Sequence, residues 1–382
     1  MDDKRKRSWA EIDLAALEHN VKNMRAQLPA GCGFVGVVKA NAYGHGAVPV
    51  AKKLEALGVE YLAVACLEEL RQLRGAGIES PVLILGYTPT EYARELATLS
   101  ATQAVGSLKQ AEELSERLAG TGKRLKVHLK LETGMGRTGF RAFGEHDLAA
   151  AARVTALPEL EAEGIFTHFC VSDADEPLRE FTHEQFDRFQ KAVAAIEAES
   201  GHRFALRHCA NSGAMISFPG TYLDMVRPGL ALYGMYPGSD RGATDLRPVM
   251  ALYTRVYGIE EHFPGDSISY GRTYTADRPC RIAVLPIGYA DGLHRAASGK
   301  LEFMINGHRV PQVGRICMDM CMADVTGLDV KSGDVVQIFG GQIPVEELAE
   351  KAGTINYEMT CAVSPRVPRI YMDEGKETGG CV

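Results

Sequence analysis

Eight short apolar runs, separated by stretches of helical periodicity, constrain this chain more than any other feature. The runs fall at 34–38, 61–65, 82–85, 102–105, 125–131, 162–167, 205–209 and 223–226. Helical patterns occupy most of the gaps, at 48–57, 67–75, 90–99, 108–118, 147–155 and 182–200, and another at 14–28 precedes the first run. Short apolar runs bounded by turn residues read as strands. Eight of them alternating with helices predict a parallel sheet closed on itself, a TIM-like (β/α)8 barrel. An open doubly wound sheet is the competing arrangement. The first run is not followed by a GxGxxG, which weighs against a dinucleotide-binding version of it.

The pattern changes near Arg247. Period-2 alternation appears at 255–259 and 300–305, with turn signals at Pro264-Gly265-Asp266, Asn306-Gly307 and Lys331-Ser332-Gly333. Asn-Gly between alternating runs is a strong hairpin sign. One short helix is expected at 344–351, with Gly353 behind it. The chain therefore divides into a barrel domain at 1–245 and a mostly β domain at 246–382, with residues 1–10 expected to pair with the latter. A net charge of −7 gives no affinity for nucleic acid. The basic start, Lys4-Arg5-Lys6-Arg7, lacks the apolar stretch of a targeting signal, and no run is long enough to span a membrane. The nine cysteines are scattered, as at Cys66 and Cys209, and read as buried, reduced thiols of a cytoplasmic protein. Cys317 and Cys321 have no histidine at metal-site spacing, so no metal is expected.

In such barrels chemistry sits at the C-terminal ends of the strands. Lys39 follows the first run, Glu132 to Arg137 the fifth, and His168 the sixth. Asn211-Ser212-Gly213 follows the seventh, and Arg227-Pro228-Gly229 the eighth. A lysine at the end of a buried strand is desolvated, which lowers its pKa and frees an amine for a Schiff base with an aldehyde cofactor. The plainer role is a lysine that snorkels to water. Ser212, with free backbone N–H groups around it, and Gly229 lie where barrels bind phosphate. An ordinary helix cap with a turn glycine is the alternative.

The segments VVKANAYGHG, KLETGMGRTGF, FTHF, CANSGA, MVRPGLALYG, SYGRTYTA, PIGYADG and GRICMDM occur in this order. Together they closely resemble the motifs of the bacterial alanine racemases, over nearly the whole chain. The resemblance implies an isomerase that uses pyridoxal 5'-phosphate (PLP) to interconvert L- and D-alanine through an external aldimine, supplying D-alanine for peptidoglycan. It implies Lys39 as the PLP-bound lysine and base on one face of the substrate, and Tyr270 as the base on the other. Racemisation takes a proton from one side and returns one to the other, so two opposed groups make chemical sense. Tyrosine has a high ordinary pKa, and His168 would supply a hydrogen bond toward Tyr270. Arg227 would face the pyridine nitrogen and, being always protonated, keep that nitrogen bare. Without the motif, Arg227 paired with Asp224, or Tyr270 as a surface strand residue, would be the simpler reading.

By the same resemblance Tyr43, Asn211, Ser212, Gly229 and Leu230 would hold the cofactor, most of them at its phosphate. Arg137 and the Met318 backbone would contact the substrate carboxylate, with Asp319 beside Met318. Lys130 would be carbamylated to hold Arg137; an unmodified Lys130, exposed or paired with Glu132, stays open. Tyr289 would gate the site and Asp173 would lie at its mouth. Lys39 and Tyr270 fall in different domains, and in the family the tyrosine reaches the lysine of the other subunit, so the resemblance implies a homodimer with composite sites. One departure stands out. Pro365 occupies a position where several members have a tyrosine that contacts phosphate and borders the substrate pocket. Proline offers no hydroxyl, which opens the alternative of a serine or broad-specificity racemase. A PLP carrier without turnover resembles the barrel alone and needs no Tyr270.

Overall fold

The computed structural model describes residues 5–378. They form two compact units. One comprises Glu18–Ala42 and Ala47–Arg247; the other takes Tyr43–Gly46 and the described parts of Met1–Leu17 and Pro248–Val382.

The first unit is the barrel. Its strands are β1 (Gly33–Val37), β2 (Tyr61–Val64), β3 (Val82–Ile84), β4 (Ala101–Val105), β5 (Leu125–Glu132), β6 (Leu160–Phe166), β7 (Leu206–His208) and β8 (Met225–Val226). All neighbouring ladders are parallel, in the order β8-β1-β2-β3-β4-β5-β6-β7. No regular ladder joins β7 to β8. Two bonds cross that seam instead, Asp224 N–H to Arg207 O at 3.0 Å and Arg227 N–H to Ala210 O at 2.8 Å, so the sheet is nearly closed. The runs make strands because both faces are covered: β2, β3 and β4 are buried at every position. The helix Leu108–Leu118 shows how the covering works. Ser107 caps it by accepting from Gln110 N–H, and Ala111, Leu114 and Leu118 recur on one buried face. Each such leucine contributes roughly 1.5–3 kcal/mol by leaving water.

Three details differ from the sequence reading. The helix expected at 14–28 ends at Arg25, and 90–99 divides into a 3-10 turn, Thr90–Tyr92, and a helix, Ala93–Thr98. A short strand, Phe140–Arg141, pairs with the end of β5 and was not foreseen.

In the second unit a ten-stranded sheet is built around the N-terminal segment. Strand Ser8–Asp13 lies between Met250–Arg255, antiparallel to it, and Arg369–Asp373, parallel to it. Trp9 stacks on Tyr253 at 5.5 Å, and the Arg255 guanidinium lies over the indole. Asn306 and Gly307, with φ of 48° and 81°, join strands Glu302–Ile305 and His308–Val313 in the expected hairpin. The alternation at 255–259 is not one strand. The chain leaves Met250–Arg255 and starts Gly258–His262 on another partner, because Val256 N–H bonds to Asp334 O and Tyr257 N–H to Val284 O. The helix at Val345–Ala352 ends on Gly353 in the left-handed conformation, and a second helix, Asn356–Ala362, follows it. The thiols are less uniformly buried than expected: Cys66 is half-buried and Cys361 exposed. Lys4 lies outside the described residues. Among the described residues no helix is long and apolar enough to cross a membrane, and no cluster of side chains could hold a metal ion.

Candidate active site at the barrel rim

Lys39 leaves β1 into an unusual turn. Ala40, Asn41, Ala42 and Tyr43 all have φ between 52° and 54°, a left-handed helical turn built without glycine. That conformation costs a side-chain-bearing residue roughly 1–2 kcal/mol, so specific bonds must hold it. The Glu69 carboxylate accepts from Ala40 N–H at 2.6 Å and from Ala65 N–H at 2.7 Å. Asn41 Oδ1 caps Ala47 N–H at 2.8 Å, where the right-handed helix Ala47–Ala56 starts. The polar turn expected here is thus a turn of opposite hand. Its glycines answer to packing within the second unit. A Cβ on Gly44 would strike the Thr360 carbonyl, and one on Gly46 the Tyr371 hydroxyl.

The rim is cationic. Lys39, Lys130, Arg137, Gly86 and Gly106 line one cleft of about 540 Å³. Lys130, 8% exposed, donates to Thr138 Oγ1 at 2.7 Å. Burial, reinforced by the charges of Arg137 and Arg227, lowers its pKa to about 8. Glu132 does not pair with it. Its carboxylate accepts the backbone N–H groups of Gly134 and Arg137 and so shapes the loop that carries Arg137. Arg227 is buried, and burial lowers its pKa to about 10. Its guanidinium donates to Thr167 O (2.8 Å), Cys209 O (3.2 Å), His208 Nδ1 (2.9 Å) and His168 Nδ1 (3.4 Å). Asp224 pairs with Arg207 instead. Burial and the charges of Arg227, Arg137 and Lys39 push the half-buried His168 well below the usual histidine range. A guanidinium has no acceptor, so the long 3.4 Å contact favours a lone pair on His168 Nδ1 and a proton on Nε2.

Beside this lies a cradle built on Ser212. Ser212 Oγ accepts from Gly229 N–H at 2.9 Å and from Ala231 N–H at 3.2 Å. Both hydroxyl lone pairs are engaged, so its O–H is left to donate. Asn211 fixes the loop: its Oδ1 accepts from Ala214 N–H (3.0 Å) and Ser172 Oγ (2.7 Å), while Nδ2 donates to Phe169 O (3.2 Å). Leu230 is buried at the head of the turn Leu230–Tyr233. A cationic rim next to a hydroxyl left to donate suits an anionic, phosphate-bearing ligand. PLP fits this donor set. Asp173 is exposed near the Ser172 loop.

The remaining expected residues gather in the second unit. Tyr270, 70% exposed, tips a two-stranded hairpin, Ser267–Ile268 and Tyr274–Thr275. Ser269 takes φ 68° and ψ −178°, a region nearly reserved for glycine. Its hydroxyl, donating to Arg315 O at 2.7 Å, secures that conformation. Tyr270, Met318 and Asp319 line a cleft of about 410 Å³. Tyr289 is exposed in the turn Tyr289–Asp291. Tyr43 is buried 5.9 Å from the Tyr357 ring, and burial raises its hydroxyl pKa.

Sequence reasoning missed Asp291, inside PIGYADG. It is fully buried and accepts from Arg7 (2.7 and 2.8 Å), Arg366 (2.7 and 3.2 Å) and Gly288 N–H (2.9 Å). Arg366 also reaches Asp319 at 2.6 Å. The cluster braces the turn of Tyr289 and the loop of Met318. His128 and His208, buried in the barrel, were missed as well.

Fold and rim define a class: parallel-barrel proteins with a strand-end lysine on a cationic rim and a second, strand-rich unit. Residues 12–237 match the family model for the N-terminal domain of alanine racemase, and 249–371 match that for its C-terminal domain. The chain belongs to the alanine racemase family, whose members are isomerases. An alanine racemase of Desulfovibrio desulfuricans is 45% identical over 368 residues, spanning 96% of this chain and 98% of that one. The solved alanine racemase of Clostridium difficile 630 superposes with a TM-score of 0.93 at 39% identity, covering 98% and 97% of the two chains. That of Bacillus anthracis, with bound L-Ala-P, gives 0.91 at 35% identity, covering 98% and 97%.

Proposed function

We propose that this protein racemises alanine with PLP, Lys39 and Tyr270 serving as bases on opposite faces of the substrate. The observation that carries the reading is the cationic rim around Lys39 beside the Ser212 cradle, in a chain whose family match runs through both units. Tyr43, Ser212, Gly229 and Leu230 would hold the phosphate, with Asn211 fixing the Ser212 loop at the cofactor, Arg227 the ring nitrogen and Lys39 the aldehyde carbon. PLP, when bound, acidifies the α-C–H bond of an amino acid. Lys39 Nζ accepts the α-proton on one face while Tyr270 Oη gives its proton to the other, and the reverse reaction exchanges these roles. His168 Nε2–H is the donor that steadies the Tyr270 oxygen when it is charged. Arg137 and the Met318 N–H orient the substrate carboxylate, with Asp319 holding the Met318 loop. Tyr289 and Asp173 would border the approach. At neutral pH part of Lys130 is free amine, the form that reacts with carbon dioxide; its carbamate would turn a cation beside Arg137 into an anion.

In our reading the barrel domain (1–245) binds cofactor and the β domain (246–382) supplies Tyr270 to a second copy of the chain. An exposed tyrosine, methionine and aspartate around one cleft support that homodimer. Unpaired thiols such as Cys209, Cys280 and Cys321 support a reducing, cytoplasmic setting, where the product would serve cell-wall synthesis. The carrier alternative falls away, since the family match includes the second unit. Purified protein with PLP should convert L-alanine to the racemate on a chiral column. Replacing Lys39 by alanine should abolish both turnover and the visible band of bound PLP, and a fully active K39A would overturn the reading.

A further inference from the structure

Arg227 is a buried cation with no carboxylate in contact among the described residues; its partners there are carbonyls and imidazoles. Following its bonds inward leads to one. Arg227 Nη1 lies 2.9 Å from His208 Nδ1, His208 Nε2 lies 2.9 Å from His128 Nδ1, and His128 Nε2 lies 3.2 Å from Glu163 Oε2. The direction of every bond is forced. A guanidinium can only donate, so His208 Nδ1 is bare and its proton is on Nε2. That proton is given to His128 Nδ1, which must also be bare, so His128 carries its proton on Nε2 and gives it to Glu163. A second proton on either ring would set N–H against N–H.

The barrel is shaped for this chain. Gly164, paired with His128 across the β5–β6 ladder at a register shift, has no room for a side chain: a Cβ would stand 2.7 Å from the imidazole. Phe166 stacks flat on His208 at 4.9 Å, with the Arg227 and Lys130 cations above the same ring at 5.3 and 6.0 Å. Glu163 is itself steadied by Lys126 and by the Tyr61 hydroxyl.

We propose that His208, His128 and Glu163 are positioning residues for Arg227: a one-way chain through two neutral imidazoles that ties the guanidinium to a carboxylate and fixes its aim and charge. The ionisation states agree. Burial depresses both histidines, and although burial opposes it, hydrogen bonds from His128, Lys126 and Tyr61 hold Glu163 at about 2. The catalytic meaning of the chain rests on Arg227 facing the cofactor as proposed above; the chain itself does not.

The decisive measurement is 15N and 13C NMR of the histidine rings in the wild-type protein, with and without PLP. His128 and His208 should each show a bare Nδ1 and a protonated Nε2, unchanged between roughly pH 6 and 9. A protonated Nδ1 on either ring, or titration in that range, overturns the proposal even if the protein racemises alanine. Glu163→Gln keeps an acceptor and removes the charge; His128→Asn interrupts the chain. Either should lower kcat about tenfold with KM nearly unchanged and shift the visible band of bound PLP. Glu161→Gln, on the same strand but exposed, should do neither. If the chain only packed the barrel, the first two variants would lose stability while the band and kcat stayed in place, and that result also overturns it.

Discussion

Replacing Ser212 by alanine isolates the cradle. The serine oxygen satisfies two backbone donors, Gly229 N–H and Ala231 N–H, in a region where both residues are buried. Alanine leaves both without a partner. A buried unsatisfied donor costs about 1–3 kcal/mol. The 3.2 Å bond is the weaker one, and the lost hydroxyl no longer has to be desolvated, so the pair should cost about 2–4 kcal/mol. For a unit of this size that corresponds to a fall in melting temperature of roughly 5–15 °C, read by calorimetry on protein free of PLP. The same substitution removes the one O–H that the local geometry leaves free to donate. Affinity for PLP, measured by fluorescence titration, should weaken about 10–100-fold. A variant that melts within a degree of wild type and binds PLP equally well would refute both halves: the donors would not depend on Ser212, and the hydroxyl would not face the phosphate.

Tyr270→Phe should cut racemisation by about 10²–10⁴-fold while α-hydrogen exchange with D2O persists for one enantiomer through Lys39; equal loss of both would remove the two-base reading. Supplying 13C-labelled carbon dioxide should give a carbamate signal that disappears in Lys130→Arg and grows as pH rises toward about 8, where the lysine sheds its proton; no signal at any pH would leave Lys130 an ordinary amine. Asp291→Asn should raise KM for alanine more than it lowers kcat. Burial opposes ionisation of Asp291, but Arg7 and Arg366 hold its carboxyl below the ordinary range. Its stabilisation is therefore complete above about pH 4 and fades as pH falls through the lowered value. Urea midpoints of D291N and wild type should differ at pH 7 and converge in acid, and a constant gap would contradict this. Pro365→Tyr should raise the preference for L-alanine over L-serine; an unchanged ratio would make this exposed turn proline irrelevant to substrate choice.

What could be read before folding was whatever depends on near neighbours in sequence. Most barrel strands were legible because they are short apolar runs buried at nearly every position, as in β1 to β4, and Asn306-Gly307 was legible because only a few residue types accept two positive φ angles in succession. The left-handed turn after Lys39 was not, since Ala40 and Ala42 carry no signal for positive φ and a lone Asn41 does not announce a run of four. They are held there by Glu69, and the glycines beyond them by the packing of Thr360 and Tyr371. Distance along the chain hid the rest. Asp291 draws Arg7 from 284 residues away and Arg366 from 75; His128 meets His208 across 80. A motif can point to Arg227, but not to the reason it can be buried. That reason is a carboxylate two imidazoles away, on a strand where the only visible trace is a glycine between Glu163 and Ile165. The residues that chemistry touches were legible as types, whereas those that fix their protonation became legible only when the barrel set three strands side by side.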